Sequence, residues 1–202
     1  MWSPTREQVA RAQMTRFNAF VRSRGADAVR EGDYQSLYDW SVRHIAEFWA
    51  ALWEYAGIVA QPHGEHLPWD RVVRGVDRVA PPDPVEGPKW FEGASLNFAE
   101  NLLRFRDDHP AIVFWNELGR QRSLTYAELY EEVARTAAAL RALGVQAGDR
   151  VAGFMPNIPE TAIAMLATAS LGATWSSCSP DFGVSGVFDR FGQITPKVLF
   201  CA

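Results

Sequence analysis

With 202 residues, 48% of them hydrophobic and 22% charged, the chain can bury one large core or two small ones and is too apolar to be a disordered segment. Its net charge of −4 is uneven, with residues 1–30 basic and the remainder acidic, and two cysteines, Cys178 and Cys201, exclude a disulfide framework and point to a reducing, cytoplasmic setting. The longest nearly uncharged run, Thr161 to Ser179, is broken by Thr, Ser and Gly172, so no membrane span is expected, and the opening MWSPTREQVARAQM lacks the apolar stretch of a secretory signal.

From Pro4 to about Ile58 the pattern is helical. SPTREQVARAQMTRFNAFVRSRG predicts one helix, with Ser3 as N-cap, Pro4 at the first helical position and Gly25 as the stop. The arginines here (Arg6, Arg11, Arg16, Arg22, Arg24, Arg30) outnumber Glu7 and Asp27. They neither run consecutively nor interleave with stacking aromatics, so they read as a solvated helix face rather than a nucleic-acid arm. A second helix is predicted over SLYDWSVRHIAEFWAALWEYAG, with Ser36 and Asp39 in a capping-box spacing. Its apolar set, Leu37, Trp40, Ile45, Phe48, Trp49, Leu52 and Trp53, must dock on something large.

From about Val59 to Glu100 proline and glycine dominate, and the zone reads as an extended segment over the surface of a neighbouring domain, held down by Trp69, Trp90 and Phe91. His63 and His66 form an H-x-x-H there without a third ligand in view, so a plain loop is favoured over a metal site. His44 reads as a packing or surface residue.

Beyond Glu100 strand and helix alternate. A strand at AIVFW precedes a helix opened by the T-x-x-E box of Thr125 and Glu128 and stopped at Gly144, with Glu131 and Glu132 on its solvated face. A strand at DRVAGFM, a helix from Pro159 to Gly172, a strand at ATWSS, a helix around VSGVFDRFG and a strand at KVLFCA follow. The fold class expected is α/β: a helical N-terminal region (1–100), then the start of a mostly parallel, helix-flanked sheet (101–202).

In such sheets ligands collect outside the carboxyl ends of the strands, where the turn Ser179-Pro180-Asp181 stands. Small side chains there let a ligand approach the backbone, and the amides of the next helix could face an anion. The plainer alternative is a strand-to-helix turn with Asp181 as N-cap. No P-loop, no G-x-G-x-x-G fingerprint and no H-E-x-x-H is present.

WFEGASLNFAENLL, LTYAELYEEVARTAAALRALGVQAGDRVAGFMPNIPETAIAMLATASLGATWSSCSPDFG and VFDRFGQITPKVLF resemble the N-terminal part of the acyl-adenylate-forming (AMP-dependent) ligases, and WSSCSPDFG with DRFGQI-x-PKVLF narrows the resemblance to their acetoacetate–CoA ligase branch. The first zone resembles the N-terminal region of the acetyl-CoA synthetase type. The resemblance implies an enzyme that joins acetoacetate to CoA through an acyl-adenylate, using ATP and Mg²⁺, with Ser179, Pro180 and Asp181 beside the nucleotide part of CoA. The family's phosphate-binding loop, acyl pocket and adenylation lysine have no counterpart in these residues, and neither Lys89 nor Lys197 stands in a family lysine motif. No catalytic residue is therefore carried over, and the chain taken alone is expected to be an inactive N-terminal portion. The alternatives are another short-chain acyl-CoA synthetase, or a non-catalytic CoA- or partner-binding module. A nicotinamide-dependent oxidoreductase is disfavoured by the missing glycine fingerprint.

Overall fold

The computed structural model describes residues 2–62, 67–76 and 87–202, which gather into two compact units, Met1–Ser95 and Leu96–Ala202. In the first unit, the predicted opening helix is two: α1 (Arg6–Arg11) and α2 (Gln13–Ser23). Thr5, not Ser3, caps α1. Its hydroxyl accepts from the Gln8 amide at 3.2 Å while Gln8 Oε1 accepts from the Thr5 amide at 2.8 Å, so two amides beyond the reach of helical carbonyls satisfy each other's partners. The chain leaves helical geometry at Ala12 (φ −64°, ψ 140°), where the Thr15 hydroxyl donates to the Val9 carbonyl at 2.6 Å.

The second predicted helix also divides, into α3 (Tyr34–Arg43) and α4 (Ile45–Ala56), at His44 (φ −120°, ψ 58°). It starts earlier than expected because Asp33 Oδ1 accepts from the amides of Gln35 (3.0 Å) and Ser36 (3.3 Å). Ser36 uses its hydroxyl otherwise, donating to the Asp33 carbonyl at 2.9 Å and accepting from the Arg30 amide at 2.8 Å. Gly57 closes α4 in the left-handed conformation (φ 60°, ψ 49°), which a glycine adopts without the steric penalty of a side chain.

The core of this unit gathers Phe17, Val21, Leu37 and Trp40, with Phe48, Leu52 and Tyr55 packed against them. Phe17 meets Phe48 and Tyr55 edge-on, at 5.8 and 5.1 Å between centroids. The tryptophans of α4 find their large partner in the proline- and glycine-rich zone. Trp53 lies 4.9 Å from Trp69 and 4.4 Å from Phe91, and Trp49 lies 5.4 Å from Trp90. The described part of that zone up to Ser95 therefore packs within the first unit, where β1 (Arg71–Arg74) pairs antiparallel with β2 (Lys89–Glu92), a sheet the proline-rich composition conceals. Arg74 and Glu92 bridge the two strands at 2.7 Å, and this bond above all holds the Glu92 carboxyl below the usual range. His63, His66 and most of the proline run lie outside the described residues.

The second unit begins with α5 (Phe98–Leu102), capped by Asn97, and a hairpin of β3 (Pro110–Asn116) and β4 (Gly119–Thr125). Only β3 is predicted. GRQRSLT turns polar residues outward and buries Leu124, so its strand is signalled by pairing rather than by hydrophobicity. Thr125 and Glu128 form the expected capping box of α6 (Tyr126–Ala142), with Thr125 Oγ1 accepting from the Glu128 amide at 3.1 Å.

Three parallel strands follow, β5 (Arg150–Phe154), β6 (Thr174–Cys178) and β7 (Val198–Cys201), joined by α7 (Pro159–Ser170) and α8 (Val184–Ile194). Their order is β6-β5-β7, with Val151 level with both Trp175 and Val198. Alternation along the strands supplies both faces. Val151, Trp175, Val198 and Phe200 pack toward α6 and α7, against Leu140, Ile163, Leu166 and Ala167. Ala152, Phe154 and Cys178 pack toward Val187, Phe191 and Ile194 of α8. The expected parallel sheet, flanked by helices on both faces, is thus present.

Candidate functional site

The strand order brings two loops side by side at the carboxyl ends of the sheet. From β5 the chain turns to α7 on one face of the sheet; from its neighbour β6 it turns to α8 on the other face. Two adjacent parallel strands whose outgoing loops part to opposite faces are where a crevice is expected at the carboxyl ends of such a sheet, while the strand order itself reverses between β5 and β7. One lip is Met155–Ile158, the other Ser179–Gly183, and the Met155 amide donates to the Cys178 carbonyl at 3.4 Å across the base.

All three predicted residues, Ser179, Pro180 and Asp181, stand exposed on the second lip. The Phe182 amide donates to the Ser179 carbonyl at 3.2 Å, closing a tight turn with proline in its second position, where the fixed φ of proline is preorganised. The Ser179 hydroxyl donates to Asp181 Oδ2 at 2.7 Å, and the Asp181 amide donates to Ser179 Oγ at 3.3 Å.

Asp181 does not cap α8, contrary to the simpler turn reading. Its carboxylate is held by Ser179, and the N-cap is Gly183 (φ −63°, ψ 164°), which has no side chain to offer the first helical amides. Across the crevice α7 starts in the same way. Ile158 is its N-cap, Pro159 follows, and no side chain caps it. The helices that follow β5 and β6 thus both begin without a side-chain cap, each amino end carrying the partial positive charge of its aligned peptides. Such ends accept an anionic group by backbone N–H donation.

Two features of the site are not visible in residue types. The lip Met155–Ile158 becomes a partner of the turn only through the strand order, and the missing cap of α8 shows only once Asp181 is seen to bond Ser179. The remaining candidates lie elsewhere. His44 stacks on Trp40 at 6.4 Å and sits 3.8 Å from Glu47. Lys197 pairs with Asp149 at 3.0 Å at the opposite, amino end of the sheet. Among the described residues no group of three His, Cys, Asp or Glu side chains is placed to hold a metal ion, and no helix is long and apolar enough to cross a membrane.

Known proteins resemble the chain along its whole length. The family described as AMP-binding enzyme matches residues 98–202, and that described as acetyl-coenzyme A synthetase N-terminus matches residues 34–102. The acetoacetyl-CoA synthetase of Rattus norvegicus is 44% identical over 99% of this chain, which spans 28% of that protein. That of Rhizobium meliloti (strain 1021) is 43% identical over 98% of this chain, again 28% of its own length. The solved acetoacetyl-CoA synthetase from Streptomyces lividans superposes with a TM-score of 0.83 at 42% identity, covering 99% of this chain and 29% of that one.

Proposed function

The chain belongs to the AMP-binding enzyme family, and from that premise we propose that it serves as the N-terminal part of an acetoacetate–CoA ligase. The observation that carries the reading is the likeness to acetoacetyl-CoA synthetases over 99% of the chain. In domain terms, residues 1–100 act as the N-terminal region of the acetyl-CoA synthetase type and 101–202 as the first α/β part of the AMP-binding domain.

The reaction has two steps. A carboxylate oxygen of acetoacetate attacks the α-phosphorus of ATP; the bond to the bridging oxygen breaks and pyrophosphate leaves. The CoA thiolate then attacks the acyl carbon of the adenylate, the carbon–oxygen bond to AMP breaks, and acetoacetyl-CoA is released. Mg²⁺ would offset phosphate charge in the first step; among the described residues no group of three His, Cys, Asp or Glu side chains is placed to hold it. With acetoacetate as substrate the proposed activity belongs to ketone-body and lipid metabolism, and the few cysteines support a reducing, cytoplasmic setting.

The crevice lip Ser179-Pro180-Asp181 is the part of this chain that meets CoA. The first amides of α8 suit the phosphates of the CoA nucleotide, whereas anionic Asp181 suits a hydroxyl or amino donor of the same nucleotide. The test is a titration of the ¹⁵N-labelled chain with CoA. Amide shifts concentrated at Ser179–Val184 are expected, with no AMP formed when ATP and acetoacetate are added to residues 1–202 alone. Shifts confined to the first unit, or none, would remove CoA from this lip; AMP formation would overturn the assignment of adenylation to residues beyond these.

A further inference from the structure

We propose that Arg190 is a positioning residue for the Ser179–Phe182 turn, acting through the Phe182 ring. Its guanidinium lies over that ring at 4.0 Å from the centroid and donates from Nη1 to the Gly186 carbonyl at 3.2 Å. Phe182, Gly186 and Arg190 recur at intervals of four, so they share one stripe of α8 and its entry. Gly186 leaves the room. A β-carbon there would meet Arg190 Nη1 and Phe182 Cδ1, both at 3.4 Å, closer than nine in ten such contacts. Arg190 makes no ion pair among the described residues, although Asp189 adjoins it in sequence and the Asp181 carboxylate is held by Ser179. A helical side chain leans toward the preceding turn by default, and the guanidinium that does so here meets an aromatic face and a carbonyl.

The consequence falls on the turn. Phe182 immediately precedes the N-cap, so pinning its ring fixes the angle at which the chain enters α8, as a hydrophobic staple does. The same residue donates the amide that closes the turn onto Ser179. Arg190 thereby sets where Ser179 and Asp181 stand on the lip, and its relevance to CoA rests on the reading of that lip given above.

The experiment is amide exchange in the ¹⁵N-labelled chain, with R190Q, R190K, F182L and the double variant R190Q/F182L. The Phe182 amide should exchange about fivefold faster in R190Q, the scale of one exposed cation–π contact with its hydrogen bond, and R190K, which keeps the charge but not the planar fork, should recover part of the protection. F182L should match R190Q, and the double variant should add nothing further, because both remove one contact. Unchanged exchange in R190Q, or additive effects in the double variant, would overturn the proposal. Protection of the Val151 and Ala152 amides reports an intact sheet, and should R190Q lose it, F182L with R190K decides. CoA shifts in the same spectra separate the two readings: a wild-type chain that ignores CoA defeats the ligand assignment of the lip and leaves the exchange result to judge Arg190.

Discussion

A β-carbon at Gly153 would stand 2.5 Å from Trp175 Cη2 and 2.6 Å from Cζ2, so the indole of β6 lies flat against the backbone of β5 only because residue 153 has no side chain. The indole reaches across that position to within 6.1 Å of the Phe200 ring of β7. Gly153→Ala should lower stability by about 2 kcal/mol, the cost of overpacking a filled core, seen as a lower urea midpoint with an unchanged slope. Sequence could not single out this glycine. DRVAGFM reads as a strand, but that Val151 stands level with Trp175, so that its ring covers Gly153 two residues on, is a matter of register, decided between strands some two dozen positions apart. The same limit explains Asp181: Ser-Pro-Asp before a helix reads as a cap, and only the position of the Ser179 hydroxyl turns the carboxylate to another use.

Elements were legible where one local device specified them. The Thr125–Glu128 box, the helix from Pro159 and the three parallel strands stand where the pattern puts them, because capping and alternation act over a few residues. Two helices were divided where the pattern shows no break, at Ala12 and at His44, and β4 was concealed by its polar face. One junction joins several elements. Asp149 Oδ2 accepts from the Gln146 amide at 2.8 Å and from Lys197 Nζ at 3.0 Å, while Lys197 Nζ also donates to the Gly144 carbonyl at 2.5 Å. The turn after α6 is thereby tied to the starts of β5 and β7. The Gln146 amide first, and Lys197 second, hold the Asp149 carboxyl below its ordinary range. A carboxyl depressed in the folded state stabilises it fully above the unfolded titration point, near pH 4, and loses that effect as the pH falls through the lower folded value. The stability gap between wild type and Asp149→Asn should be full at pH 7 and close toward pH 2 in urea titrations; a gap that widens with acid would contradict this origin.

Across the whole molecule the alternation of strands and helices predicts the class of fold, while the order β6-β5-β7, on which the crevice depends, is decided by long-range pairing. The same order leaves β7 bonded to β5 alone among the described strands. Beside it runs an apolar cleft of 590 Å³ lined by Phe154, Val184, Phe188 and Leu199, with Phe188 79% and Val184 88% exposed. An uncharged edge strand next to an apolar cleft invites pairing with another chain, so residues 1–202 should associate with rising concentration in sedimentation velocity, and Leu199→Lys should restore the monomer. A wild-type chain that stays monomeric throughout would contradict that reading. The central place of β5 also imposes a timetable on biosynthesis. β5 leaves the ribosome first, α7 and β6 follow, and that right-handed unit can close at once over Val151. Ala152 and Phe154 on the opposite face then stay bare until α8 has been made, and β7, which must cross beyond β5 to its far side, comes last. The nascent sheet is one-sided for the whole length of α8, and the small turn Ser179–Phe182 is the point at which synthesis passes from the covered face to the bare one.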